Sequence, residues 1–309
     1  MLTKVIESVS DEIIHPEILK ILLKDNTTGF NITWATSNYL EYGECFSKES
    51  EITLDLISGK NSAVIHPRVD KEREEQSRRT REKAEVFTPS WICNIQNNLI
   101  DESWFGEKNV FNQSKGTGWI TNPSRIKFPI TKPWQQYVDE KRLEACCGEA
   151  PYLVSRYDTV SGKAISIPSR IGLLDRKLRV VNENCLTSEE WIFWVVRAFQ
   201  SIYAYEFQGD NLLLARENLF LSFVEYFIQK NKIQPALSDA KKIADIIAWN
   251  LWQMDGVTLF PPGVDNSLSM QLSLFDDLPT GAAVAKPCMI FDWESNKKIE
   301  FRALLHGVS

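Results

Sequence analysis

The chain of 309 residues has little of what builds metal centres or membrane spans. It carries three histidines, His15, His66 and His306, and six cysteines (Cys45, Cys93, Cys146, Cys147, Cys185, Cys288) with no C-x-x-C pair among them. Without paired ligand spacing a zinc site is not expected, and no metal ligand is nominated. Cys146 and Cys147 are adjacent, too constrained for an ordinary disulfide, and all six thiols are expected to be reduced and buried. Long apolar runs are missing too. The longest, such as Trp191 to Val196 and Leu219 to Val224, fall far short of the roughly 20 residues that cross a bilayer, so no membrane partner is expected. The opening MLTKVIESVSDEII lacks a basic start, a continuous apolar core and a small-residue cleavage site, which points to a cytoplasmic protein. Basic charge is not in surplus: 35 Lys and Arg face 41 Asp and Glu, a net charge of -6. No global positive field exists to hold nucleic acid, so any DNA contact must be local or shared with a partner.

What is present is an ordinary globular mixture, 43% hydrophobic and 25% charged, long enough for one large core or two modest ones. Residues 1 to 66 mix a helical opening with strand-like alternation at Ile52, Leu54 and Leu56, a small α+β region. From Arg68 to Lys83 the run RVDKEREEQSRRTREK holds seven basic and five acidic residues and no apolar face. It reads as a solvated helix or linker, with a phosphate-contacting arm through Arg78, Arg79, Arg81 and Lys83 as the sharper alternative. Thr88 is placed as N-cap and Pro89 as the first residue of a helix through Trp91, Ile92, Ile95 and Leu99. A boundary near residue 85 then separates an N-terminal region, 1–85, from a larger domain, 86–309. Residues 102 to 133 read as a long ordered loop.

After Trp134, short apolar runs alternate with longer helical ones, the rhythm of βαβ units on a mostly parallel sheet. Helices are expected over Ser188–Phe199, Gln208–Lys230 and Ser238 to about Ile247, a strand over Ile202–Glu206, and a final strand pair at Cys288–Phe291 and Lys298–Phe301. Within Arg142-Leu-Glu-Ala-Cys-Cys-Gly-Glu-Ala-Pro-Tyr-Leu153, a strand ends in Glu144, turns at Gly148 and starts a helix, the shape of a cofactor cradle. Taken alone, one such glycine is more often simple turn chemistry. Glu206 ends the next strand, where a carboxylate can accept from both hydroxyls of a ribose; a helix-start carboxylate favoured by the dipole is the bland alternative. Arg176, Lys177 and Arg179 read as a solvated basic face, and the tryptophan pairs Trp191/Trp194 and Trp249/Trp252 as core anchors.

Taken in order, Phe87-Thr88-Pro89, the Glu144 to Leu153 turn, and Ala204-Tyr205-Glu206 before a helix resemble the AdoMet-binding half of adenine-N6 DNA methyltransferases. From about Ala84 onward the chain looks like proteins called restriction endonuclease subunit M, with Lys83-Ala-Glu-Val-Phe-Thr-Pro-Ser-Trp-Ile-Cys-Asn94, Arg170-Ile-Gly-Leu-Leu-Asp-Arg-Lys-Leu-Arg179 and Trp249-Asn-Leu-Trp-Gln-Met-Asp-Gly256 as its most distinctive words. The resemblance implies a Rossmann-like AdoMet-dependent methyltransferase fold, α/β and partly incomplete, with S-adenosyl-L-methionine as cofactor. It implies that Phe87, Thr88 and Pro89 flank the methionine carboxylate, that Glu144, Cys146, Gly148 and Ala150 line the turn under the cofactor, that Glu206 holds the ribose, and that Asn250 lies beside the adenine.

Two departures bear on that implication. Ala150 stands where the family has a second glycine, and the family's Asn-Pro-Pro-Tyr, which holds and stacks a flipped adenine, is missing from the chain. Leu259-Phe-Pro-Pro-Gly263 has the prolines without an acceptor or a ring, so it reads as a loop. Cys288-Met-Ile-Phe-Asp-Trp293 occupies the expected sheet position, making Asp292 and Trp293 weak catalytic candidates, and the chain ends sixteen residues later. The implied function is a modification subunit of a restriction-modification or related DNA defence system, working on DNA with a catalytic, specificity or endonuclease partner. A catalytically inactive scaffold of the same fold, binding DNA or a protein, is the alternative.

Overall fold

The computed structural model describes residues 14–83, 85–264 and 286–305. In chain order the helices are α1 (Pro16–Leu23), α2 (Leu54–Ile57), α3 (Arg73–Lys83), α4 (Ser90–Phe105), α5 (Trp134–Asp139), α6 (Leu173–Asn184), α7 (Ser188–Gln200), α8 (Gly209–Asn231), α9 (Leu237–Asn250) and α10 (Phe301–Leu305). The strands are β1 (Asn112–Lys115), β2 (Gly118–Thr121), β3 (Arg142–Ala145), β4 (Ile202–Glu206), β5 (Leu251–Gln253), β6 (Met289–Asp292) and β7 (Lys297–Glu300).

The fold is mixed α/β around a parallel sheet in the order β3-β4-β5. Each crossover carries two helices, α6 with α7 and then α8 with α9. Because β4 alternates Ile202 and Ala204 with Tyr203 and Tyr205, it serves two cores. The first set joins Leu251 and the helices in the main core, whereas Tyr203 and Trp252 pack with Cys288, Ile290 and Phe301. The second face is thus covered by the antiparallel β6–β7 hairpin and α10. Among the described residues the outer edge of β3 has no strand partner. Leu143, 51% exposed, borders an apolar cavity of about 530 Å³ there.

One core cluster runs across residue 85, joining Ile18 and Leu22 of α1 to Phe223 and Ile247. The N-terminal region is tied to the sheet by the Gln253 side chain, which accepts from the Thr33 N–H and donates to the Thr33 carbonyl, both at 2.8 Å. Gly209 is required there by close approach, since a Cβ would lie 1.9 Å from the Thr33 oxygen. The strand expected at Ile52–Leu56 is instead a single helical turn, α2; pairing is confined to one bridge, Thr33 with Glu51, before the chain curls to bury Ile57. The expected loop 102–133 contains the β1–β2 hairpin, turned at Gly116. Pro89, not Thr88, is the N-cap of α4, because the Ser90 N–H is taken by Asp158 from a distant loop at 2.8 Å.

The charged run does form a helix, but not a solvated one throughout. Arg79 is fully buried between Asp210 and Glu85, so it is unavailable to a phosphate. Arg176 and Lys177 are buried as well. Arg176 pairs with Asp101, and the Lys177 ammonium is held by Val138, Glu140 and Ser201 oxygens. The basic face expected there is an internal brace. Four cysteines are buried and reduced, while Cys45 and Cys146 are exposed thiols. Trp191 is a core residue, and Trp249 and Trp252 pack against Phe291 and Phe301 as anchors.

Candidate functional site

At the carboxyl ends of β3 and β4 two turns are stitched together. β3 leads into Cys146, Gly148 and Ala150, all with positive φ of 50°, 54° and 61°. The left-handed bend at Gly148 turns its N–H toward Glu206 Oε2, 2.9 Å away across 58 residues of sequence. The other oxygen, Oε1, accepts from the Gln208 N–H at 3.0 Å, and the Cys147 N–H bonds the Tyr205 carbonyl at 3.0 Å. The Phe87 ring packs beside the turn, at ordinary contact distance, 3.5 Å, from where a Cβ on Gly148 would stand.

These turns floor a cavity of about 830 Å³. Phe87, Thr88, Glu144, Cys146, Gly148 and Glu206, all anticipated from sequence, line it together. Thr36, Glu85, Asn97, Gln208 and Asn211 join them without having been foreseen. Among the described residues no lysine, arginine or histidine lines this cavity, while three glutamates do. Its lining therefore offers hydrogen-bond acceptors to a ligand bearing hydroxyl or amine donors rather than to a phosphate.

Acceptors are in excess. Thr36 Oγ1, Glu85 Oε1, Asn97 Oδ1, Glu144 Oε2 and Asn211 Oδ1 are buried without a hydrogen-bond partner. Such groups each cost about 1–3 kcal/mol when left unmatched, and all five belong to residues that line this cavity. Burial pushes the Glu144 carboxyl well above the ordinary carboxylate range, against the pull of the Tyr152 N–H, a long contact at 3.5 Å, and of the Leu153 N–H. Burial also raises Glu206, against the pull of the Gln208 and Gly148 N–H groups.

A buried ion cluster holds the wall opposite the turns. Arg79 donates from Nε to Glu85 at 2.9 Å and from its two terminal nitrogens to Asp210, which also accepts from the Tyr39 hydroxyl at 2.8 Å. Although burial opposes ionisation of Asp210, Arg79 and Lys71 hold its carboxyl below the ordinary value. Gln208 Nε2 donates to the same Glu85 oxygen at 3.1 Å, which fixes both side chains at the cavity. One signal for Asn97 was present in sequence: Asn94, Asn97, Asn98 and Asp101 repeat at helical spacing on α4, a polar stripe of which Asn97 lines the cavity while Asn94, Asn98 and Asp101 hold Arg176.

Other nominated residues lie elsewhere. Pro89 caps α4 and faces a neighbouring cleft. Ala150 is packed in the core beneath the turn. Asn250 does not reach the cavity: it closes α9 at the amino end of β5, where Nδ2 bonds the carbonyls of Phe199, Gln200 and Ile202 at 3.0, 3.2 and 2.9 Å. Its Oδ1 accepts from Trp293 Nε1 at 2.8 Å. Asp292 is also at that end, 3.7 Å from Lys141 and engaged by Ser295. Asp292 and Trp293 are thus separated from Gly148 and Glu206 by the length of the sheet. Among the described residues no helix is long and apolar enough to cross a membrane.

Comparison of the chain with protein families, with curated proteins and with solved structures finds no match.

Proposed function

We propose that the chain is an AdoMet-binding, adenine-N6 DNA methyltransferase-like subunit of a DNA modification or restriction system, which depends on a partner for methyl transfer. The observation that carries this reading is the junction of Gly148 and Glu206, 2.9 Å apart, in a cavity walled by carboxylates and unpartnered acceptors. S-adenosyl-L-methionine brings a sulfonium, an ammonium and a ribose diol, and the donor set fits each. Glu144 and Glu85 face the positive groups, Glu206 retains acceptor capacity for the ribose, and the Thr88 hydroxyl and nearby backbone N–H groups serve the carboxylate. Bound there, the cofactor supplies an electrophilic methyl group. With no Asn-Pro-Pro-Tyr in the chain, the groups that hold the adenine amine come from the partner.

Calorimetry on the full chain tests this reading. AdoMet and its demethylated product are expected to bind, with affinity reduced at least tenfold in Glu206→Gln and Glu144→Gln proteins whose melting curves stay cooperative. Absence of heat from either nucleoside overturns the reading.

The non-catalytic scaffold has one observation in its favour: both Glu206 oxygens already accept backbone N–H groups, a bracing role that needs no ligand. In that case Glu206→Gln lowers stability and leaves salt-sensitive DNA retention or partner capture unchanged.

A further inference from the structure

One buried guanidinium organises the cavity wall that lies across from the turns. Arg79 stands near the end of α3 with no exposure to solvent. Its fork is divided between two acids: Nε donates to Glu85 Oε2 at 2.9 Å, and the two terminal nitrogens donate to Asp210 Oδ2. Lys71 lies 3.5 Å from the same Asp210 oxygen, so two buried cations face two buried carboxylates. The two acids differ in place. Asp210 does not line the cavity, whereas Glu85 does.

Glu85 is fixed from several directions. Its N–H bonds the Arg79 carbonyl at 3.4 Å, and its own carbonyl accepts from the Thr80 hydroxyl at 3.0 Å, which folds the chain back on the last turn of α3. Oε2 accepts from Arg79 and also from Gln208 Nε2 at 3.1 Å, and Gln208 is steadied in turn by Asn38 Nδ2 at 3.2 Å. Oε1 is buried and has no partner. Donors on one oxygen set the orientation of the carboxylate, and the other oxygen keeps its capacity to accept. A lysine at position 79 is no substitute, because a point charge lacks the planar fork that reaches two acids at fixed angles.

We infer that Arg79 is a positioning residue for ligand binding: it acts through Glu85, clamping one carboxylate oxygen so that the other accepts from an amine donor of the bound molecule. The inference rests on the proposed function for its ligand. It gives the charged run of α3 a part in the binding site, in place of the linker or phosphate-contacting arm expected there.

A double-mutant cycle on the full chain tests it, with AdoMet affinity read by calorimetry and stability by urea unfolding. Glu85→Ala and Arg79→Lys are each expected to weaken AdoMet binding about tenfold, the scale of one charge-assisted hydrogen bond. On the Glu85→Ala background, Arg79→Lys should cost less than about threefold more, since the residue it acts through is gone. If Arg79→Lys does not fold, Arg79→Gln combined with Asp210→Asn removes a cation and an anion together, leaves the buried charges balanced, and should show the same dependence on Glu85. Losses that multiply in the cycle, or AdoMet affinity indifferent to Arg79 while stability falls, overturn the inference and leave the cofactor reading standing. Absence of AdoMet binding by the unsubstituted protein overturns the cofactor reading, and this inference with it.

Discussion

The two ends of the parallel sheet are built on opposite terms. At the amino end the polar groups are matched: Asn250 bonds three carbonyls and Trp293, and Lys177 is ringed by oxygens. At the carboxyl end five buried acceptors go unmatched around about 830 Å³. One end is organised for stability and the other tolerates a deficit, which is the pattern of a binding site on a stable scaffold.

The largest expected effect is at the matched end. Asn250→Ala strands three carbonyls and the Trp293 indole, and urea unfolding should show a loss of about 3 kcal/mol. A change below about 1 kcal/mol would break the contrast. Next comes the response to pH. Glu144 and Glu206 lie above the ordinary carboxylate value, and burial carries Glu217 of α8 up to about 8. From about pH 4.3, where unfolded carboxyls titrate, up to about 8 for Glu217, the folded chain keeps protons that the unfolded chain has released. Stability therefore falls as pH rises through this window. Asp210, held low, acts in the opposite sense, its contribution being lost as pH drops through its lowered value. Melting temperature should be higher at pH 5.5 than at pH 8.5, and the reverse order would contradict the assignment.

Glu144→Gln sharpens the comparison further. It removes a poorly partnered acid, so at pH 8 the protein should gain up to about 1 kcal/mol and show a flatter pH slope, while the proposed AdoMet binding should weaken at least tenfold. Destabilisation on the scale of Asn250→Ala would mean that Glu144 is a brace like those at the other end. An effect of similar size and opposite sign is expected from Gly148→Ala, which forces an alanine into the left-handed region at φ 54° for about 1 kcal/mol, read as a drop of a few degrees in melting temperature.

How far the sequence carried can be judged from single residues. The strand at Ile202–Glu206, the helices after it, the turn at Gly148 and the acid at Glu206 were legible because each is encoded locally, by alternation, helical spacing or a glycine. Arg79 was not legible. Its run has no apolar face, and the partner that buries it, Asp210, is 131 residues away. Thr36 gives no signal at all, being brought to the cavity by a loop that leans on Gly209. Asn250 was misplaced because a polar residue at a helix end reads alike whether it faces a ligand or caps neighbouring carbonyls. Only the packing of α7 against α9 and the sheet decides between them.

The flank of β3, which has no strand partner among the described residues, bears on handling the purified protein. A bare strand edge is a template for another chain, and Leu143 beside it adds apolar surface. Lys141 and Arg142 at its start are each already paired, with Glu294 and Glu140 at 3.2 Å, and so add little net charge to keep a second molecule away. Crowded solutions are accordingly the conditions under which this chain should begin to stick to itself.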